Sequence, residues 1–301
     1  MAEHSVLLPE QQDHHLENLD AFLETTAAAE PLTFRKIAVR RIMRDRLTIA
    51  AMLVLFTLVL LSLMAGVIST HLLGWDPNTT DLMSTFQRPS SVHLLGTDQL
   101  GRDQLSRLLY GGRVSLAIGF SGSLIAMTLG VFIGICAGFF GGIVDDLIMF
   151  FINTLQSMPT LFLLLIIVAL FSPSPLWLTM IFGFLGWMNV SRIVRGEVFS
   201  VRERDYVIAA RALGASEISL MLRHILPNII PIVIIIAARD IGTLILSESA
   251  LSFLGLGIQP PTATWGNMLS KAQQYFILGP HLVIFPGLEK DGALWNRKHP
   301  G

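Results

Sequence analysis

Three ionisable residues, Arg239, Asp240 and Glu248, interrupt a strongly apolar run at residues 228–250. A charge at the centre of a membrane helix costs at least about 2.5 kcal/mol, so these side chains are expected to face protein or water rather than lipid. In that setting they could line a transport path, contact a second subunit, or relay protons or ions. They could equally form a buried ion-pair network that only holds helices together, and the sequence leaves these roles open.

Two amide side chains in an earlier apolar run are similarly ambiguous. Asn153 and Gln156 precede Pro159, and a proline inside a helix bends it and frees a backbone carbonyl. Both amides are therefore candidates for lining the same path. The alternative is a kink whose freed backbone groups are satisfied by neighbouring helices.

Motifs of the common enzyme classes are absent from the sequence. It contains no G-x-x-x-x-G-K-[ST] loop for nucleotide phosphates, no H-E-x-x-H, no G-x-S-x-G and no cysteine–histidine cluster for a metal. The triplet Gly101, Arg102 and Asp103 is not accompanied by a convergent nucleophile and base, so intrachain ion pairs are expected there. We predict that the chain is not an enzyme and itself holds no cofactor or metal.

The composition is that of a polytopic membrane protein. Of the 301 residues, 52% are hydrophobic and 14% are charged, and the mean hydropathy is +0.61, whereas soluble domains carry about 25% charged residues. Apolar runs near the ~20 residues that cross a bilayer predict an all-α fold with five transmembrane helices. A sixth, at 276–288, is short and contains Pro280 and Pro286, so its formation is doubtful. The five predicted spans are residues 47–68, 114–138, 144–171, 176–194 and 228–250.

Charge placement divides the chain into four regions. Residues 1–33 are acidic without Lys or Arg and are predicted to be a flexible tail, or alternatively a partner-binding arm. Residues 34–113 hold a basic elbow helix, the first span and an outer segment. Residues 114–288 form the main transmembrane domain, and residues 289–301 an atypical tail. The basic cluster before the first span predicts a cytoplasmic N-terminus.

The outer segment contains start signals for a further helix. Gly96 suits a turn, and Thr97 or Asp98 can cap the helix that follows. Leucines after this point make one partly apolar face. We predict a helix within residues 93–110 that lies at the membrane surface.

Small residues recur at every fourth position of the second predicted span. At this period they leave a groove along one helix face, so that another backbone can approach closely. The pattern predicts tight packing against a helix of the same chain or of another subunit. The glycines concerned are Gly122, Gly130, Gly134 and Gly138.

A polar stretch at residues 200–228 separates the fourth and fifth predicted spans. Its charges exclude it from hydrocarbon, and its arginines place it in the cytoplasm. Local signals predict a helical hairpin. These signals are a capping box of Ser200 and Glu203, a shared face of Tyr206, Ala209, Ala210 and Leu213, a left-handed Gly214, a second cap at Ser216, and Pro227 as the end of the second helix.

The order Ala209-Ala210, Gly214 and Leu226-Pro227 resembles the cytoplasmic coupling loop of ABC-importer permeases. Ile208 stands where that family often has Glu, and His224 where it has Ile. HLLGTDQLGRDQLSRLLYGGRVSL at 93–116 and ALSFLGLGIQPPTATWGNML at 250–269 narrow the resemblance to the second permease subunit of the dipeptide, oligopeptide and nickel branch. The resemblance extends over residues 35–288, and the ending EKDGALWNRKHPG departs from the family.

The resemblance implies a multi-pass import permease of the prokaryotic cytoplasmic membrane, with di- or oligopeptides as the expected cargo. Its expected partners are a homologous permease subunit, two ABC ATPase subunits that bind ATP and Mg, an external substrate-binding protein and membrane lipid, with no nucleic acid. The hairpin would couple the permease to an ATPase. The coupling residues implied by the family pattern are Glu203, Asp205, Tyr206, Ala209, Ala210, Gly214, Leu226 and Pro227.

Two other functions remain open from the sequence. A secondary transporter could use Arg239, Asp240 and Glu248 as an ion relay. A non-transporting membrane scaffold, or a defective permease, would be consistent with the atypical C-terminus.

Overall fold

The computed structural model describes residues 45–170, 174–275, 279, 280 and 282. The predicted acidic tail 1–33, the basic elbow before Asp45 and the tail 289–301 lie outside the described residues, as does most of the doubtful sixth span. The chain divides into two units, Met1–Thr57 and Leu58–Gly301.

Helices make up most of the described residues, which contain a single isolated β-bridge and no β-strand. The predicted all-α class is therefore confirmed. The longer helices are α1 (Arg46–Leu63), α2 (Gln104–Phe140), α3 (Gly142–Gln156), α4 (Thr160–Leu170), α5 (Pro175–Arg202), α6 (Asp205–Ala212), α7 (Leu226–Phe253) and α8 (Trp265–Gln274). Short helical segments lie between them at Ala65–Val67, Ile68–Leu73, Leu82–Ser84, Glu217–Ser219 and Leu220–Ile225.

Four helical segments are long and apolar enough to cross a membrane: α1, α2, α5 and the continuous run Glu217–Phe253 that contains α7. They correspond to the first, second, fourth and fifth predicted spans. Several continue beyond the predicted ends, because backbone hydrogen bonding extends a helix into its polar flanks. α5, for example, runs on to Arg202.

The third predicted span, 144–171, is two helices rather than one. α3 ends at Gln156 with Ser157 as its C-cap, and α4 begins at Thr160. The break falls at Pro159, which has no N–H for the helix ladder and disfavours helical geometry in the preceding residue. Neither helix alone reaches the ~20 residues that a bilayer requires. The expected kink is therefore a complete interruption.

The surface helix predicted within 93–110 is not a separate element. Asp103, and not Thr97 or Asp98, is the N-cap: its side chain accepts a hydrogen bond from the Ser106 N–H at 2.8 Å. α2 then continues unbroken across the predicted boundary at residue 113 as far as Phe140. An aspartate directly before the first helical turn is the stronger cap, because its short carboxylate reaches the free N–H groups.

A tight turn precedes this cap. Gly101 has a left-handed φ of +69°, and a Cβ there would lie 1.7 Å from the Asp81 carbonyl oxygen, so the position requires glycine. The ion pair expected in this segment is present, since the Arg102 guanidinium contacts the Asp98 carboxylate at 2.6 Å.

α2 and α5 approach each other backbone to backbone. Gly122 lies at the looser end, where an added Cβ would be 3.6 Å from the Thr179 carbonyl oxygen. Further along, a methyl group has no room, so the glycines set the helix separation. An added Cβ would lie 2.5 Å from the Val190 Cβ at Gly130, 2.7 Å from the Ser191 carbonyl oxygen at Gly134, and 2.7 Å from the Val198 Cβ at Gly138.

The buried side chains around this contact form the main core of the helical domain. Val190, Val194 and Val198 of α5 pack with Ile135 and Phe139 of α2 in one cluster. α7 completes the cluster with further branched aliphatic residues. β-branched side chains suit this position, because their single preferred rotamer costs little entropy on burial.

Replacement of Gly134 by alanine is expected to separate α2 from α5. The new methyl group would overlap backbone of α5, and overpacking of this kind costs about 1–3 kcal/mol. The melting temperature of the detergent-purified protein should fall by several degrees. Gly196→Ala is the matched control, because Gly196 lies in α5, the other helix of the pair, and an added Cβ there would have nothing within 4 Å. It should leave the melting temperature unchanged or raise it through helix propensity. Equal effects of the two variants would contradict the packing argument.

Candidate functional site

The polar stretch between the membrane helices α5 and α7 is an ordered hairpin. α6 ends at a Schellman motif, in which the N–H of Gly214 donates to the Arg211 carbonyl at 3.0 Å and that of Ala215 to the Ala210 carbonyl at 3.1 Å. Gly214 has a φ of +84°, which glycine adopts without strain. The Ser216 side chain then accepts from the Ser219 N–H and caps the next helical segment.

Two of the expected local signals are wrong. Ser200 and Glu203 do not form a capping box, because α5 continues through Ser200 and Glu203 is its C-cap. Pro227 does not end the second helix, because Glu217–Ser219 continues through the π-helical segment Leu220–Ile225 into α7. Pro227 is the second residue of α7, directly after the π-helical segment.

One side of the hairpin is anchored in the helical core. Val207, Leu220 and Ile225 are fully or almost fully buried and belong to the same cluster as Val198 and Val201 of α5. Burial of each such side chain stabilises the contact by about 1.5–3 kcal/mol. The hairpin is therefore packed against the membrane helices through buried side chains.

The other side of the hairpin exposes apolar side chains. Leu213 is 89% exposed, and Tyr206, Ile208, Ile218 and Leu222 are exposed as well. Of the face predicted for α6, Tyr206, Ala209 and Leu213 lie outward, and Ala210 is half-buried. Apolar groups grouped on a charged, water-facing segment are typical of a surface that binds another protein.

Basic side chains attach the hairpin to the end of α2. Arg202 donates to the Gly138 carbonyl at 2.8 Å, and the guanidinium of Arg211 lies 5.5 Å from the centre of the Phe139 ring. Nearby, Arg195 of α5 forms a two-pronged ion pair with Asp145 of α3. Glu203 and Asp205 are exposed, and Glu203 forms an ion pair with Arg202. Displacement of the hairpin would therefore carry the ends of three helices with it.

Asn153 and Gln156 form a polar clasp between α3 and α5. The Arg192 guanidinium donates to the Asn153 amide oxygen at 2.8 Å and to the Gln156 amide oxygen at 2.6 Å. Gln156 also donates to Asn189 at 2.9 Å. These amides hold helices together, although the cluster is exposed at the surface of the chain. Both amides were candidates from sequence, whereas Asn189 was missed, although its i,i+3 spacing with Arg192 is visible.

α7 has one exposed face that hydrocarbon could not cover. Arg239 lies near the middle of the helix and is exposed together with Ala238, Gly242 and Thr243. Within the described part of the chain, Arg239 forms no ion pair. Exposed apolar residues of α7, such as Ile234, Ile235 and Leu246, flank this polar position. The exposed faces of α2 and α5 carry large apolar residues, among them Phe120, Leu124, Phe132, Met180 and Phe184.

Asp240 points from α7 toward the α2–α5 contact. Its Oδ2 is shielded from solvent and has no hydrogen-bond partner among the described residues. It lies 3.9 Å from where a Cβ of Gly186 would be. An unpaired buried carboxylate oxygen is costly, so Asp240 is a second polar group in this helix whose position packing alone does not explain.

Glu248 lies inside the chain, away from the exposed face of α7. It is fully buried, and its carboxyl group accepts hydrogen bonds from Ser252 at 2.8 Å, Thr264 at 2.9 Å and Ser115 at 3.4 Å. Ser115 in turn accepts from the Trp265 N–H at 3.2 Å. Glu248 thus joins α7, α2 and the start of α8 through these hydroxyl groups.

Buried anchors of the hairpin were the residues that sequence reasoning overlooked. Val207 and Leu220 lie close in sequence to the motif residues. Their burial in the folded chain is what distinguishes them from the exposed apolar side chains nearby. Across the described ranges, no three His, Cys, Asp or Glu side chains come together in a way that could hold a metal ion.

Comparison with known proteins agrees with this architecture. The oligopeptide transport system permease protein OppC of Escherichia coli K12 is 34% identical over 281 residues, which cover 93% of this chain and 91% of the relative. OppC of Haemophilus influenzae is 34% identical over 83% of this chain and 79% of its own length. The glutathione transport system permease protein GsiD of Pectobacterium atrosepticum is 34% identical over 83% and 82%.

Residues 130–288, which include the hairpin, the polar face of α7 and Glu248, match the family described as binding-protein-dependent transport system inner membrane component. This match spans more than half of the chain, and the relatives above are aligned over most of their lengths. The chain therefore belongs to the family of binding-protein-dependent transport system inner membrane components.

Proposed function

We propose that this chain is one permease subunit of an ATP-driven importer of peptides. Support for the cargo comes from relatives named as oligopeptide and dipeptide transport permeases. The family description supports dependence on a separate binding protein. The partners we propose are a homologous permease subunit, that external binding protein and two ATPase subunits. ATP and Mg would be held by the ATPases, and the hairpin would lie on the cytoplasmic side with the N-terminus.

The observation that carries this proposal is the two-sided hairpin. Its buried side is fixed to α2, α5 and α7 through Val207, Leu220 and Ile225, while its outer side offers exposed apolar groups around Leu213. A groove on an ATPase could hold the outer side. Closure of the ATPase pair would then displace the hairpin, and the helices continuous with it would move as rigid bodies.

The translocation path is proposed to run along the exposed face of α7. Arg239 cannot face lipid at mid-helix without a large energetic cost, and small neighbours such as Gly242 leave space beside it. A water-filled path between this chain and the sister permease would solvate the guanidinium. The apolar exposed faces of α2 and α5 would meet lipid.

Purification in mild detergent from native membranes tests the assembly. An N-terminal tag on this chain should recover two ATPases, a sister permease and a binding protein, identified by mass spectrometry. Recovery of the chain alone, under conditions where a related permease keeps its partners, would contradict the proposal. Uptake of labelled peptide by the recovered complex then tests the cargo.

Gly214→Val should uncouple ATP hydrolysis from transport. A β-branched residue in the left-handed conformation costs about 1–3 kcal/mol, so the hairpin would lose its shape, and peptide uptake per ATP should fall on the order of tenfold. Gly214→Asn is the matched control, because asparagine tolerates this conformation and should keep coupling near the parent level. Uptake and hydrolysis are measured together in proteoliposomes. Equal coupling in the two variants would refute a role for the loop shape.

Cysteine labelling tests the path. Cys136 is the single cysteine, so a Cys136→Ser background leaves only the introduced thiol. Gly242→Cys on the α7 face should react with a hydrophilic thiol reagent at least about tenfold faster than Phe184→Cys on the apolar face of α5, because a thiolate does not form in hydrocarbon. Similar rates at both positions would show that the α7 face is not lined by water.

A further inference from the structure

A second charged site lies at the end of α2 opposite to the hairpin. There, residues before α2, the first turn of α2 and one face of α8 line a cavity of about 20 Å³, which we call the cap pocket; its charged lining residues are Asp98, Arg102, Arg107 and Lys271. The hairpin contacts α2 at Gly138. The two sites are therefore separated by most of the length of α2, about 50 Å at 1.5 Å per residue.

The cap pocket has an excess of positive charge. Arg102 and Arg107 are both almost fully buried, and within the described part of the chain the only carboxylate in an ion pair with either is Asp98, at 2.6 Å from Arg102 and 3.6 Å from Arg107. Three cations thus face one anion. Buried charge of one sign requires a counter-charge, since burial removes the water that would otherwise stabilise it.

Neighbouring carboxylates are engaged elsewhere. Asp103 contacts His93 at 3.0 Å and caps α2 through Ser106, and Asp81 accepts from Ser84. Burial lowers the pKa of the Lys271 ammonium, and Arg102 and Arg107 lower it further, while Asp98 raises it. The two guanidinium groups therefore repel the Lys271 ammonium across the pocket.

The cations are held in place before any ligand arrives. Arg107 donates to the Pro77 carbonyl at 3.1 Å, and Asp98 binds both the backbone and the side chain of Arg102. α8, which carries Lys271, is fixed to α2 by a hydrogen bond from the Trp265 indole to the Leu108 carbonyl at 3.1 Å. Preorganised cations of this kind bind an anion with little ordering cost.

The size of the pocket restricts the ligand. A cavity of about 20 Å³ admits little more than one water-sized group. A single carboxylate oxygen matches this volume. Arginine pairs of this type recognise carboxylates through charge-assisted hydrogen bonds.

We propose that the cap pocket binds one carboxylate group, and that an acidic side chain of the external binding protein supplies it; this inference rests on the proposed import function. If the hairpin faces the ATPases, the opposite end of α2 faces the compartment from which the binding protein approaches. The partner surface is therefore one that presents an Asp or Glu side chain to Arg102, Arg107 and Lys271.

The first test measures affinity between the co-purifying binding protein and the permease complex in nanodiscs. Lys271→Glu should weaken binding by at least about tenfold, because it fills the pocket with a carboxylate of its own and repels the incoming one. Arg88→Glu is the matched control, since Arg88 is exposed in the same outer segment and does not line the pocket. It should change the affinity less than about twofold. Equal weakening by both variants, or by neither, would overturn the proposal.

The second test measures melting of the detergent-purified full chain. Lys271→Glu should raise the melting temperature by about 2–4 °C, because it supplies the missing counter-charge. Acetate should stabilise the parent relative to chloride at equal ionic strength and should have no such effect on Lys271→Glu. Lower stability of Lys271→Glu, or no difference between acetate and chloride, would show that the pocket does not take a carboxylate.

Two outcomes distinguish the source of the carboxylate. In the first, acetate stabilises the unmutated permease and yet the permease binds no binding protein. In that case the proposed import function and the proposed source of the carboxylate are both wrong, whereas the cap pocket still binds a carboxylate. A second outcome concerns the double variant Glu289→Gln/Asp291→Asn. If its melting temperature falls and its affinity for the binding protein is unchanged, the chain's own C-terminal segment fills the pocket. That result would overturn the proposed docking role.

Discussion

Between Gly130 and Gly138, α2 and α5 approach so closely that a methyl group on Gly130, Gly134 or Gly138 would overlap α5. In a bilayer, lipid is as apolar as the side chains, so helix association depends on van der Waals contact rather than on exclusion of water. The glycine ladder provides that contact over several turns. It creates a paired-helix core to which α7, the hairpin and the outer residues are attached.

Polar groups within the helical domain fall into two classes. Asn153, Gln156 and Glu248 find partners on other helices of the same chain and serve to hold them together. Arg239 and the Oδ2 atom of Asp240 do not have such partners among the described residues. Because hydrocarbon does not solvate charge, the second class indicates where water or another subunit meets this chain.

The two ends of α2 have different chemistry. At one end, a hairpin with a buried side and an exposed apolar side is fixed by Arg202 and Arg211. At the other end, Arg102, Arg107 and Lys271 surround a small cavity with one carboxylate. A rigid α2–α5 pair between them offers a direct physical connection: a tilt imposed at the hairpin would displace the cap pocket without any change in local structure.

Sequence alone determined the all-α membrane class, four of the spans, the left-handed Gly214 and the family to which the chain is similar, because hydropathy, glycine geometry and motif order are local properties. Helix boundaries were less well predicted: Asp103 replaced the expected caps, and Pro159 divided one expected span into two helices. Only the tertiary structure decided which polar groups have partners. It brought Glu248 to Ser115 and Arg192 to Asn153 across large separations in sequence. It also turned Val207 of α6 inward and Leu213, the C-cap of α6, outward. Such assignments depend on which helices pack together, and no local pattern along the chain contains that information.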